Sequence, residues 1–222
     1  MSPAEQSCAI IVFMRAPFEK RVKTRLAKTI GRQRASQFYS LCVNTVVDQM
    51  MGLAPTIAKY IFLAEPVDAA KIKYLKDRGF SIEVQEGVNL GDRLCNAFYR
   101  MFQKGIKKTV IVASDVPDLS AVIVKEAIHS LDGNDLVIGP SHDGGYYLIG
   151  IRKLDEFLFD GLSWGTERVL RQTLDAADRA RLRVWQLPTL MDIDTEADLC
   201  QWADSEGSKN RAILDFVKAM RL

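Results

Sequence analysis

The feature that most limits what this chain can fold into is the run CAIIVFM, Cys8–Met14, seven apolar residues with no polar alternation. A strand with one wet face alternates apolar and polar side chains. A strand apolar at both parities must be covered on both faces, as inside a parallel sheet flanked by helices. The segment that follows supplies such a cover. Over 32–51, Ala35, Phe38, Cys42, Val46 and Met50 recur at spacings of three and four, an amphipathic helix.

The alternation then repeats. Residues 57–63 read as a second strand, and Pro66 opens a predicted helix over 66–79 that turns Val67, Ala70, Tyr74 and Leu75 inward and stops at Gly79. A short strand is expected over 81–85, and a helix over 89–103 with Leu90, Leu94, Ala97, Phe98, Met101 and Phe102 on one face. TVIVASDVPDL gives a strand over 109–113, a helix follows over 121–131, and strands over 135–139 and 146–151 are joined by HDGG. A connection this short cannot make a parallel crossover, so this last pair is antiparallel. The final third is less regular: a helix capped near Thr166, a strand over 181–187, a helix from Thr195 to Trp202 with Asp198 completing a capping box, and a helix over 211–222. The pattern is an α/β fold with a mostly parallel sheet.

A length of 222 residues suits a single domain, 1–222, and 48% apolar with 26% charged residues is globular composition. The longest apolar runs fall short of the roughly 18 residues of a membrane span. The first residues have neither a basic leader nor a small-residue cleavage site, so a cytoplasmic location is the expectation. Cys8, Cys42, Cys95 and Cys200 lack metal or redox spacing, and three of them fall on apolar stripes, so they read as buried thiols. Thirty basic and 28 acidic residues leave a net charge of +2, which gives no electrostatic case for nucleic acid. An anionic partner has to be held locally.

Ligands of open α/β sheets bind beyond the carboxyl ends of the strands. In this chain those ends lead into RAPFEKRVKTR, QEGVNLGDR, SDVPD, PSHDGG and MDIDT, which together bring cations, glycines and acids to one edge. That is the composition of a metal-assisted phosphate site. Asp115, immediately after a buried strand, is placed to offer a carboxylate to a divalent cation, and Asp118 and Ser120 are better placed than it is to cap the next helix. Asp192 and Asp194 offer a second carboxylate or else organise the turn before Thr195. Asp143 either accepts the hydrogen bonds of the Gly144-Gly145 turn or binds a hydroxyl or serves as a base, or both. His142 is a lesser candidate, and His129 reads as structural. No P-loop or dinucleotide fingerprint is present.

In order, FMRAP with VKTRLA, QEGVNLGDRL, SDVPDL, GPSHDGGYYLIG, LSWGTERV and MDIDTEADL resemble a family of small bacterial glycosyltransferase-like proteins with the nucleotide-diphospho-sugar transferase (GT-A-like) fold, some of them linked to arsenosugar biosynthesis. The likeness spans about Ile10 to Leu199. The D-x-D-T-x-x-D-L pattern is also similar to that of nucleotidyltransferases such as the molybdopterin-guanine and lactyl-phospholactate enzymes. The resemblance implies a three-layer sandwich with a mostly parallel central sheet. It also implies that Arg15, Ala16, Pro17, Lys23 and Arg25 line a nucleotide diphosphate, with Gln85, Gly87 and Gly91 near the base. Asp115 and Asp194 would hold Mg2+ or Mn2+, and Asp143, Gly144, Gly145 and Trp164 would border the sugar or acceptor. The family commonly has Pro-Gly where this chain has Glu19-Lys20, and Ser where it has Gly165.

Three functions are then expected, in descending order. The first is metal-dependent transfer of a sugar from a nucleotide diphosphate sugar to a small acceptor, with Lys23 and Arg25 sharing the diphosphate charge and Asp143 activating or orienting the acceptor hydroxyl. The second is nucleotidyl transfer from an NTP to a phosphorylated small molecule with release of pyrophosphate. The third is a nucleotide-binding regulatory protein without turnover.

Overall fold

The computed structural model describes residues 7–17, 22–205 and 210–220. The elements run β1 (Cys8–Met14), α1 (Ala27–Ile30), α2 (Arg32–Met51), β2 (Ile57–Leu63), α3 (Lys73–Asp77), β3 (Ser81–Val84), α4 (Leu90–Gln103), β4 (Lys108–Ala113) and α5 (Ala121–Ser130). The chain continues through β5 (Leu136–Pro140), β6 (Tyr146–Ile151), α6 (Val169–Arg179), β7 (Val184–Gln186), α7 (Glu196–Asp204) and α8 (Arg211–Met220). The seven strands form one sheet in the order β3-β2-β1-β4-β6-β5-β7. Every pairing is parallel except those of β6, which runs antiparallel to both β4 and β5. HDGG makes the hairpin that its length required.

The unalternated β1 run is explained by its two covers. Ile10, Val12 and Met14 point into a layer with Val43, Val46 and Val47 of α2 and Val124 and Ala127 of α5. Ala9 and Ile11 point into the opposite layer with Leu94, Ala97 and Phe98 of α4 and Ala176 and Ala177 of α6. Each buried Val, Leu or Ile contributes roughly 1.5–3 kcal/mol by transfer from water, so a sheet apolar on both faces is stable only as the middle of three layers. A third cluster joins Phe38 and Cys42 of α2 to Ile193, Leu199, Trp202, Ile213 and Val217, fastening α7 and α8 to the outside of α2.

Three expectations need correction. The helix over 66–79 shrinks to α3, because Asp68 takes the segment into a turn: its carboxylate accepts from the Ala70 amide and its carbonyl from the Lys71 amide. Tyr74 is consequently part-exposed and only Ile72 and Leu75 are buried. The helix near Thr166 starts at Val169, since the Thr166 hydroxyl donates to the Ser163 carbonyl and Arg168 has no capping side-chain bond. The strand over 181–187 is trimmed to Val184–Gln186 by a left-handed Arg181 (φ 55°) and by Asp135, which accepts from the Arg183 amide. The four cysteines are free thiols, but only Cys42 is buried; Cys8, Cys95 and Cys200 are part-exposed. No described helix is long and apolar enough to cross a membrane.

Candidate functional site

A cleft of about 680 Å3 opens over the carboxyl ends of β1, β2, β3 and β4. Of the residues singled out in the sequence, it gathers Arg15, Lys23, Arg25, Gln85, Asp115 and Asp194. Buried apolar neighbours pin the segments that carry its charged residues. Val22 belongs to the α2 layer of the core and Leu26 to the cluster with Ile193 and Trp202, so Lys23 and Arg25 are fixed between two anchors. Ile193 is fully buried beside Asp194. The capping box of α7 is complete, with the Asp198 carboxylate accepting from the Asp194 and Thr195 amides at 3.0 and 2.7 Å and the Thr195 hydroxyl accepting from the Asp198 amide.

At the floor, the Lys23 ammonium donates to both Asp115 Oδ2 and Asp194 Oδ1, each at 2.7 Å. The Lys23 side chain is 4% exposed, whereas those of Asp115 and Asp194 are 30% and 39% exposed. Burial by itself would lower the lysine pKa, but the charges of Asp115 and Asp194 and their hydrogen bonds outweigh it and hold the group above the ordinary lysine value. Burial pulls the Asp194 pKa upward, and Lys23 followed by Arg25 brings it below the usual carboxylate value. Arg25 Nη1 lies 3.4 Å from Asp194 Oδ2 on an exposed side chain. Lys23 sits in the left-handed region at φ 46°, a conformation that costs a non-glycine residue about 1–2 kcal/mol.

Asp115 does not cap α5. Ser120 does, accepting from the Ile123 amide, and Asp118 accepts a 2.7 Å bond from Trp202 Nε1. Tyr39, overlooked in the sequence among the apolar positions of α2, ties the β1 and β4 loops together. Its buried hydroxyl accepts from the Arg15 amide at 3.0 Å, donates to the Arg15 carbonyl at 3.2 Å and meets Ser114 Oγ at 2.9 Å. Burial pushes its pKa up to about 12. Arg93, the arginine of QEGVNLGDR, also lines the cleft and reaches Gln85 Oε1 and the Gly87 carbonyl. The only signal for Tyr39 was a hydroxyl on an otherwise apolar stripe.

Other predicted residues lie elsewhere. Ala16 is buried and the Pro17 carbonyl accepts from Ser36 of α2, so neither lines the cleft. Gly91 faces a neighbouring cavity of about 650 Å3, where an added Cβ would come 2.6 Å from Trp164 Nε1. Trp164 is in that cavity too, stacked edge-on to Tyr146. Gly87 packs on Asp92 and the Arg93 backbone. Gly144, at φ 82°, lies so close to the Glu167 backbone that a Cβ would sit 2.2 Å from its carbonyl oxygen. Asp143 Oδ1 accepts from Ser141 Oγ and the Gly145 amide, so the turn reading of this residue holds. Burial, then Asp143, Asp115 and Asp194, raise the pKa of Asp192 to about 6. His142 and His129 are exposed, and Gly165 adopts φ 76°. Glu19 and Lys20 lie outside the described residues.

Among the described residues no group of three or more His, Cys, Asp or Glu side chains forms a metal cage. Asp115 and Asp194 offer two carboxylate oxygens, each 2.7 Å from one ammonium nitrogen and therefore no more than 5.4 Å apart. That donor set fits a hard divalent ion that takes most of its other ligands from water and substrate phosphates.

Among solved structures, the chain is similar to a protein from Desulfovibrio desulfuricans G20 provisionally named a nucleotide-diphospho-sugar transferase. The two are 30% identical, with 100% of this chain and 98% of the other covered and a TM-score of 0.86. Its fold is also that of the inositol-1-phosphate CTP transferase from T. maritima (15% identity, 97% of each chain, TM-score 0.53). A CMP:2-keto-3-deoxy-manno-octonic acid synthetase complexed with CTP shares it as well (11% identity, 88% and 96% covered, TM-score 0.53). The fold class is therefore the nucleotide-diphospho-sugar transferase-like α/β sandwich expected from the sequence. No curated protein matches the chain. Residues 47–166 match the model of the family described as "Uncharacterized protein conserved in bacteria (DUF2064)", and the chain belongs to that family.

Proposed function

We propose that the chain is a transferase acting on a nucleotide-linked substrate, and that it moves a sugar from a nucleotide diphosphate sugar to a small acceptor with Mg2+ or Mn2+ bound by Asp115 and Asp194. The observation that carries this reading is the meeting of Lys23, Asp115 and Asp194, from three distant segments, at the floor of a cleft over the parallel strand ends. The full-length likeness to the provisionally named D. desulfuricans protein supports it. When bound, the divalent ion supplies positive charge to the leaving diphosphate.

The chain's own residues supply the rest. Arg15, Arg25 and Arg93 line the cleft with guanidinium groups suited to phosphate oxygens. Gln85, with its amide nitrogen donated to the Phe62 carbonyl, is held in position to face a base. Asp143 Oδ1 is occupied by the turn, which leaves Oδ2 to orient an acceptor hydroxyl. Calorimetry with UDP, GDP, CDP and dTDP sugars, with and without Mn2+, tests the reading: micromolar to millimolar binding of at least one is expected, and binding of none overturns it.

A second reading, nucleotidyl transfer from an NTP to a phosphorylated small molecule, uses the same cations and carboxylates. The D-I-D-T turn, whose capping box presents Asp194 to Lys23, favours it. The product separates the two, since sugar transfer releases a nucleoside diphosphate and nucleotidyl transfer releases pyrophosphate.

A further inference from the structure

The two roles given to Lys23 and the Asp115–Asp194 pair conflict in the geometry described. The ammonium has three N–H donors; two go to the carboxylates, and with 4% of its side chain exposed it is closed to a phosphate in the cleft. The carboxylates, though more exposed, converge on a cation already present. Phosphate binding by Lys23 and ion binding by the pair therefore both require the ammonium to leave. Resting on the metal-dependent reading above, we infer that Lys23 is an internal placeholder: without nucleotide it holds the point where Asp115 and Asp194 take a divalent ion, and it turns to the phosphates when nucleotide and ion arrive together.

Charge and backbone agree with this exchange. Two carboxylates and one ammonium sum to −1, while two carboxylates and a divalent ion are neutral, and the displaced ammonium is then added to the charge facing a diphosphate. Without any cation, two carboxylates this close repel each other, and the placeholder removes that cost in the unliganded protein. Lys23 holds its place in a left-handed backbone conformation that is unfavourable for lysine, so the resting position is maintained by the two ion pairs and by the Val22 and Leu26 anchors. Arg25, exposed and at 3.4 Å, keeps a hand on Asp194 while Lys23 moves.

The test is Mn2+ binding without nucleotide, read by the loss of the free-ion electron paramagnetic resonance signal. Lys23→Met should bind Mn2+ at least about tenfold more tightly than the native chain, because the ion no longer competes with a buried ammonium for the same oxygens. Adding Asp115→Asn to Lys23→Met should abolish the gain. Equal affinity in the native and Lys23→Met proteins, or a gain that survives Asp115→Asn, overturns the inference. The native protein gives a second measurement should Lys23→Met fold poorly. Modification of Lys23 by an amine reagent, followed by peptide mass spectrometry, should be slow in the metal-free protein and faster at saturating Mn2+; unchanged reactivity overturns the inference. Neither readout uses a nucleotide. A chain that binds no nucleotide sugar but shows the Lys23→Met gain loses the transferase reading and keeps the placeholder, and the opposite result does the reverse.

Discussion

Replacing Tyr39 with Phe removes one oxygen and leaves the ring in place, which isolates the hydroxyl that ties the β1 loop to the β4 loop. That oxygen can satisfy all its neighbours at once: it accepts from the Arg15 amide and the Ser114 hydroxyl and donates to the Arg15 carbonyl. Three bonds are lost at about 1 kcal/mol each, partly recovered where water reaches the Arg15 backbone, so the expected destabilisation is about 2–3 kcal/mol. For a chain of this length that lowers the melting temperature by roughly 4–12 °C. Urea unfolding and a thermal melt measure it. Ser114→Ala should cost less alone, and the double variant should cost less than the two added together, because both changes break one shared bond. The Tyr39 pKa of about 12 adds a sign. A hydroxyl whose folded pKa exceeds its unfolded value of 10 contributes stability that is whole below pH 10 and lost as pH rises through 12, so the gap between native and Tyr39→Phe should narrow over that window. A loss below about 0.5 kcal/mol, or strict additivity with Ser114→Ala, refutes the reasoning.

Two further outcomes follow from the geometry. Gly144→Ala should cost about 3 kcal/mol or more in urea unfolding, since its Cβ would meet the Glu167 carbonyl, whereas Gly165→Ala, also at positive φ but in open space, should cost only about 1–2 kcal/mol. Arg25→Gln should weaken nucleotide diphosphate binding about five- to tenfold in calorimetry while Lys28→Gln leaves it within about twofold, because Arg25 lines the cleft beside Asp194 and Lys28 does not line it.

Elements whose signal is local were readable before the fold was known. The β6 strand was placed to the residue, since YYLIGI is bounded by glycines on one side and a charged pair on the other. The 66–79 segment misled because Pro66 and Gly79 frame a helical length while the Asp68 side chain competes for the backbone in between. At the site, Asp115, Lys23 and Asp194 were each visible as types in suggestive places. Their gathering at one sheet edge was expected, but the direct pairing of Lys23 with both carboxylates was not, because the partners are separated by 92 and 171 positions and nothing local tells an ammonium aimed at phosphate from one aimed at carboxylates. Gly87 and Gly91 carry a packing demand that the motif did not reveal: an added Cβ would meet Asp92 and the Arg93 backbone at the first and Trp164 at the second.

The antiparallel β6 also bears on the order in which the chain can assemble. It lies between β4 and β5, yet follows β5 in sequence, so β4 cannot complete its second ladder until the chain has passed through β5 and turned back. The β5–β6 hairpin closes a short loop and forms quickly, whereas its docking on β4 closes a much longer one. Until then β4 presents a bare hydrogen-bonding edge and the apolar TVIVA surface, the part of the chain most open to pairing with another copy while it folds.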